Sequence, residues 1–194
     1  MIIGITGKIG SGKSTAADYL VEKHGYTEYS MAAPLKEIGR LFGFTDEQLY
    51  GTQEQKLQIH PHWGISARTF LQKAGTELFR EAMPKIIPDM KTERTIWVDL
   101  FKLKYKKEPK LYVISDVRFL DEAAVIKELG GVIIRTVRDN NVSSDTKVEH
   151  KHRSELEMEQ ITPDYILDNN TFDKEDAHNA IDKIIAMEKM HKLL

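Results

Sequence analysis

Gly7-Lys8-Ile9-Gly10-Ser11-Gly12-Lys13-Ser14 fills every position of the pattern G-x-x-x-x-G-K-[ST], and its neighbours constrain the chain around it. Ahead of it, Ile2 to Thr6 is a short β-branched apolar run that stops in glycine, the pattern of a strand buried on both faces of a parallel sheet. Behind it, Ser14 to His24 carries Ala16, Ala17, Leu20 and Val21 at helical spacing, with Gly25 to end the helix. Strand, glycine-rich turn and helix in this order make a phosphate cradle. Glycines let the backbone wrap an anion, successive N–H groups and the helix N-terminus present partial positive charge, and the Lys13 ammonium bridges outer phosphates. The Ser14 hydroxyl can serve Mg²⁺. Gly7 through Ser14, with Thr15 beside them, are the expected nucleoside triphosphate site.

The rest of the chain repeats the alternation. Tyr26 to Ser30 reads as a second strand, and Ala33 to Phe44 as a helix with Leu35, Ile38, Leu41 and Phe42 on its inner face. Asp46 to Tyr50 adds a turn. From Gly51 to Pro109 no convincing strand occurs; Ala67 to Met83 places Phe70, Leu71, Ala74, Leu78 and Phe79 in helical register, and Thr92 to Tyr105 also reads as helix. The βαβ rhythm resumes with a strand at Leu111 to Ser115, a helix at Leu120 to Leu129 and a strand at Val132 to Val137. Polar Asp139 to Arg153 follows, then a short helix near Ser154 to Gln160, a strand at Asp164 to Leu167 and a final helix from Lys174 to about Met190. The expectation is a three-layer α/β fold of about five parallel strands, one domain over 1–194, with a helical insertion near 46–109 and a lid near 139–153.

Composition removes several classes. The chain has 194 residues, 41% of them hydrophobic, enough for a full core without staples. With no cysteine, disulfide scaffolds, Cys-ligated zinc, iron–sulfur clusters and thiol catalysis are out. A formal net charge of -2 speaks against a surface built for nucleic acid or anionic membrane. No apolar run approaches the roughly 18 residues of a membrane span, and Met1 to Gly7 is too short and glycine-broken for a signal peptide. A cytoplasmic home is expected.

Further candidates follow from where charge falls. Asp116 comes directly after the LYVIS strand, at the strand end where parallel-sheet sites form, and can orient Mg²⁺; the competing reading is an N-cap for the helix near Leu120. Arg118, two residues on, offers a forked donor to a phosphate. Phosphoryl transfer spreads negative charge over oxygens, so Arg68 and Arg80 in the insertion, and Arg135, Arg138 and Arg153 around the polar stretch, are candidates to meet it. No N-K-x-D run reads guanine, and the chain is small for a motor, which leaves a small kinase.

The runs GITGKIGSGKSTAADYLVEKHGYTEYSMAAPLKE, SARTFLQKAGTELFR, ISDVRFLDEA and HRSE followed by PDYILDNN resemble the deoxynucleoside monophosphate kinases of phages and large DNA viruses. The likeness spans most of the chain, and R-T-F-L-Q-x-x-G-T-E with D-V-R-F-x-x-E-A discriminates far better than the phosphate loop. The resemblance implies transfer of the ATP γ-phosphate, with Mg²⁺, to a deoxynucleoside monophosphate. It also implies that Lys13 and Ser14 take the donor phosphates and metal, that Arg68 and Gln72 face the acceptor, and that Asp116 and Arg118 lie near the transferring phosphate. Arg138 or Arg153 would be brought in by lid closure, excluding water. The partners expected are small molecules, with no nucleic acid and no membrane; a homodimer would fit the family, and a viral chain would work in host cytoplasm.

Two other readings remain open. A kinase for dephospho-coenzyme A or phosphomevalonate would suit the opening motif, and an ATP-dependent nucleic-acid or regulatory module would use the Lys102 to Lys110 basic run, otherwise a solvated face. His60 with His62, and His150 with His152, are paired like metal ligands but lack a third, and read as loop histidines.

Overall fold

The computed structural model describes residues 1–92, 95–138, 153–170 and 174–191, with Arg153, Ser154 and Lys174 described by backbone alone. The chain forms two compact units: Met1–Ser30 with Glu108–Leu194, and Met31–Lys107.

The first unit is a five-stranded parallel sheet in the order β2-β3-β1-β4-β5, built from β1 (Ile2–Thr6), β2 (Thr27–Tyr29), β3 (Tyr112–Ile114), β4 (Val132–Val137) and β5 (Tyr165–Asp168). β1 lies at its centre, with Ile3 opposite Val113 on one side and Val132 on the other. A strand with neighbours on both edges and helices on both faces has no wet side, which is why all five of its residues are buried. On one face, Ile3, Ile5 and Ile134 pack with Ala16, Ala17 and Leu20 of α1 (Lys13–His24) and with Ile181, Ile184 and Ile185 of α10 (Lys174–His191). Each such aliphatic side chain contributes about 1.5–3 kcal/mol by leaving water. On the other face, α8 (Leu120–Glu128) brings Ile126 down beside Ile133 and Val117, close enough that a Cβ on Gly4 would lie 2.7 Å from both isoleucine side chains. These layers are the three expected.

The second unit is helical: α2 (Ala33–Leu41), α3 (Asp46–Tyr50), α4 (Gln53–Leu57), α5 (Ala67–Lys73), a π-helix at Ala74–Ala82, α6 (Met83–Ile86) and α7 (Ile96–Lys107). Leu35 of α2 packs with Ala74 and Trp97, which is why α2 belongs to this unit. Reciprocal capping boxes start α3 and α4, from Thr45 with Gln48 and from Thr52 with Gln55.

Two expectations about inner faces are corrected here. Leu41 is 87% exposed, because it stands some 120° round the helix from Leu35 at about 100° per residue; Gly39 turns inward instead, its Cβ space taken by Leu49. The α-helix expected over Ala67 to Met83 is α only to Lys73. Trp97 Nε1 donates to the Gly75 carbonyl at 3.0 Å, and the widened turns that follow leave Leu78 half-exposed.

Candidate active site

The phosphate loop leaves the end of β1 and enters α1, with Gly7, Gly10 and Gly12 at φ of 146°, 80° and 97°. Such angles strain any residue with a Cβ, so the loop needs glycine there. Gly7 and Ser11 are buried, Lys8, Ile9 and Gly10 exposed, and Lys13 half-buried. Ser14 and Thr15, in the first turn of α1, are exposed. That turn carries no acidic residue, so the positive end of the helix dipole faces the loop without an internal counter-charge.

Side chains from β4 and from the residue after β5 hold the loop. The Ser11 and Thr136 hydroxyls lie 2.7 Å apart, and Ser11 Oγ also donates to the Lys8 carbonyl at 2.8 Å. From the residue after β5, Asn169 Nδ2 donates to the Ser11 carbonyl at 2.9 Å. Lys13 Nζ donates to the Gly7 and Lys8 carbonyls at 2.7 and 3.0 Å. Partial burial holds the Lys13 pKa below the ordinary lysine value; Asp116 opposes that shift and Arg118 adds to it.

Asp116 and Arg118 lie on either side of buried Val117, whose N–H donates to the Ile5 carbonyl at 2.9 Å. Their side chains meet on one side of it, Arg118 Nε donating to Asp116 Oδ2 at 2.8 Å. The N-cap reading of Asp116 falls away. Buried Glu122 reaches back to the N–H groups just ahead of α8, accepting from Arg118 N at 2.9 Å and Phe119 N at 3.2 Å.

Two cavities adjoin the loop. One of about 320 Å³ is lined by Gly7, Lys8, Ile9, Lys13 and Arg118, with Glu155, Met158 and Glu159 from α9 (Arg153–Gln160). The other, about 280 Å³, is lined by Gly7, Lys8, Ser11, Arg135, Thr136, Val137, Arg138, Met158 and Glu159. Arg138 is exposed, just past β4. Arg135 is engaged otherwise: its Nη2 donates to the carbonyls of Met158 and Ile161, tying the end of α9 to β4. Arg153 opens α9 by its backbone, and the rest of the expected lid, 139–152, lies outside the described residues, as do His150 and His152.

In the second unit, Arg68 and Gln72 stand four residues apart on α5, hence on one helix face, both half-buried. Gln53 Oε1 accepts from Arg68 Nη1 at 2.7 Å. Arg80 lies in the π-helix, half-buried. Lys104, Lys106 and Lys107 end α7, where cations suit the negative end of a helix, and Lys110 pairs with Glu108 at 2.6 Å. His60 and His62 pack against Phe44 and Trp63, and no group of acidic or histidine side chains suited to a metal occurs among the described residues.

Thr136, Asn169 and Glu122 escape sequence reasoning. Thr136 sits inside an ordinary strand pattern and Asn169 in a turn-like D-N-N; Glu122 follows Phe119, which cannot complete a capping box.

The fold and the loop are those of the P-loop kinases. A shikimate kinase from Aquifex aeolicus superposes over 100% of this chain and 99% of its own with a TM-score of 0.51, at 13% identity, a likeness of fold alone. A deoxynucleotide monophosphate kinase family model matches residues 44–176. A protein of Acanthamoeba polyphaga mimivirus, provisionally named a deoxynucleotide monophosphate kinase, is 43% identical over 178 residues, covering 88% of this chain and 89% of its own. The chain belongs to the deoxynucleotide monophosphate kinase family.

Proposed function

We propose that the protein transfers the γ-phosphoryl group of ATP to the phosphate of a deoxynucleoside monophosphate, giving ADP and the diphosphate. The observation that carries the donor half is the phosphate loop, with the Lys13 ammonium bonded to its carbonyls and Arg118 lining the same cavity. The acceptor half rests on family membership and on Arg68 and Gln72 sharing one face of α5.

An acceptor phosphate is already nucleophilic, so the work left to the protein is positioning, charge screening and water exclusion. Lys13 and the loop N–H groups hold the donor phosphates, Arg118 and Arg138 neutralise developing charge, and Arg153 joins them. Arg68 and Gln72 orient the acceptor. Ser14 and Asp116 offer the hard oxygen donors that Mg²⁺ prefers, one hydroxyl and one carboxylate, which suits an ion that keeps waters and phosphate oxygens as its other ligands. Bound there, Mg²⁺ would supply charge neutralisation at the transferring phosphate.

The test is ADP release from ATP and Mg²⁺ across all deoxy- and ribonucleoside monophosphates, with dephospho-coenzyme A and phosphomevalonate as controls. Turnover on one or more deoxynucleotides is expected. Turnover confined to either control would replace the acceptor.

A further inference from the structure

We infer that Asn169 is a positioning residue for the donor nucleotide, fixing the Ser11–Gly12 peptide so that the phosphate loop presents its N–H groups to phosphate. The inference rests on the reading above that this loop holds ATP.

Three observations carry it. Asn169 is itself anchored, its backbone N–H donating to the Val137 carbonyl at 2.8 Å at the end of β4. Its side-chain amide reaches the Ser11 carbonyl at 2.9 Å, and since a carbonyl only accepts, the NH₂ group must face it. The third observation is fit: a Cβ on Gly12 would lie 1.8 Å from Asn169 Nδ2, so the amide fills the space a side chain would need.

The consequence follows from peptide geometry. In a planar trans peptide the C=O and the next N–H point to opposite sides. Holding the Ser11 carbonyl toward Asn169 aims the Gly12 N–H the other way. Gly12 has φ +97°, a region where glycine moves freely, so the peptide would otherwise have little to stop it turning over. Thr136 grips the side chain of Ser11; Asn169 grips its carbonyl. Ordering the loop before ATP arrives spares binding that entropy.

The experiment compares wild type with Asn169→Ala and Asn169→Asp by calorimetric titration with ATP and Mg²⁺ in the absence of acceptor. KM for ATP, KM for the deoxynucleotide and thermal melting are measured beside it. Asn169→Asp keeps the volume but sets an oxygen against the Ser11 carbonyl. Asn169→Ala should weaken ATP binding about tenfold, the scale of one lost hydrogen bond, and Asn169→Asp should weaken it more. KM for ATP should rise in step while KM for the deoxynucleotide stays within about twofold, a split that a merely structural role would not give. ATP affinity within twofold of wild type in both variants overturns the inference. Equal loss for both substrates, or loss of cooperative melting in both variants, overturns it too, making Asn169 a stability residue. Wild-type protein that binds ATP yet phosphorylates no deoxynucleotide overturns the proposed function alone, because the Asn169 comparison reads ATP affinity; wild-type protein that binds no ATP overturns both.

Discussion

Lys13 curls over its own loop, its Nζ bonded to the Gly7 carbonyl at 2.7 Å. The side chain proposed to meet phosphate also closes the turn of the loop. Its ammonium lies within electrostatic reach of Asp116 and Arg118, so loop, strand-end carboxylate and arginine form one charge system.

Lys13→Ala should therefore lower kcat by about 10²–10³-fold or more, the scale of one preorganised cationic donor. Melting should change little, because the half-buried ammonium gives up a desolvation penalty along with its bonds. Steady-state kinetics with a coupled ADP assay measure the first, calorimetry the second. Activity within tenfold of wild type would remove Lys13 from the site.

The lowered Lys13 pKa sets an alkaline limit. Phosphate favours the charged amine, so ATP binds well while Lys13 is protonated and weakens as pH rises through its pKa in the free protein. Because burial holds that pKa down, affinity should fall at a lower pH than an exposed lysine would give. Arg118→Gln removes a charge that depresses it and should move the limb up; Asp116→Asn removes the opposing charge and should move it down. Titrations of ATP against pH decide it, and limbs shifting in the reverse directions would show that other groups govern the site.

Arg68→Ala should raise KM for the acceptor at least tenfold, with ATP affinity within twofold. Gln53→Ala, which removes the bond that steadies the Arg68 guanidinium, should raise it by a smaller factor in the same direction. Equal loss of both substrates in Arg68→Ala would take that residue out of acceptor binding.

Trp97→Phe tests the π-helix. It deletes the donor to the Gly75 carbonyl in a buried site, a penalty of about 1–3 kcal/mol. Thermal unfolding should move down by several degrees, and an unchanged midpoint would mean that the bond does not hold the widened turns.

The sheet was legible because its determinants are local. Ile2 to Thr6 and Leu111 to Ser115 are apolar on both faces, and glycines end the first of them where the loop must turn. The loop was legible for the same reason. What escaped depends on partners distant in sequence. A period near 100° cannot tell α from π turns over Ala67 to Met83, since the difference lies in which carbonyl each N–H meets, and Trp97 claims the one at Gly75. The outward turn of Leu41 is invisible in its own segment, because it depends on Leu49 filling the space beside Gly39. Thr136 and Asn169 are ordinary residues in their own segments; the grip on Ser11 arises only when β4 and β5 lie beside the loop.

The central position of β1 governs how the molecule can be born. Ile2 to Thr6 are synthesised well before their partners, Tyr112 to Ile114 and Val132 to Arg135. Until those segments are synthesised, this wholly buried strand has no native neighbour to bond. The sheet must therefore assemble late and nearly all at once, a slow, non-local closure during which this unpaired apolar segment is in need of a chaperone.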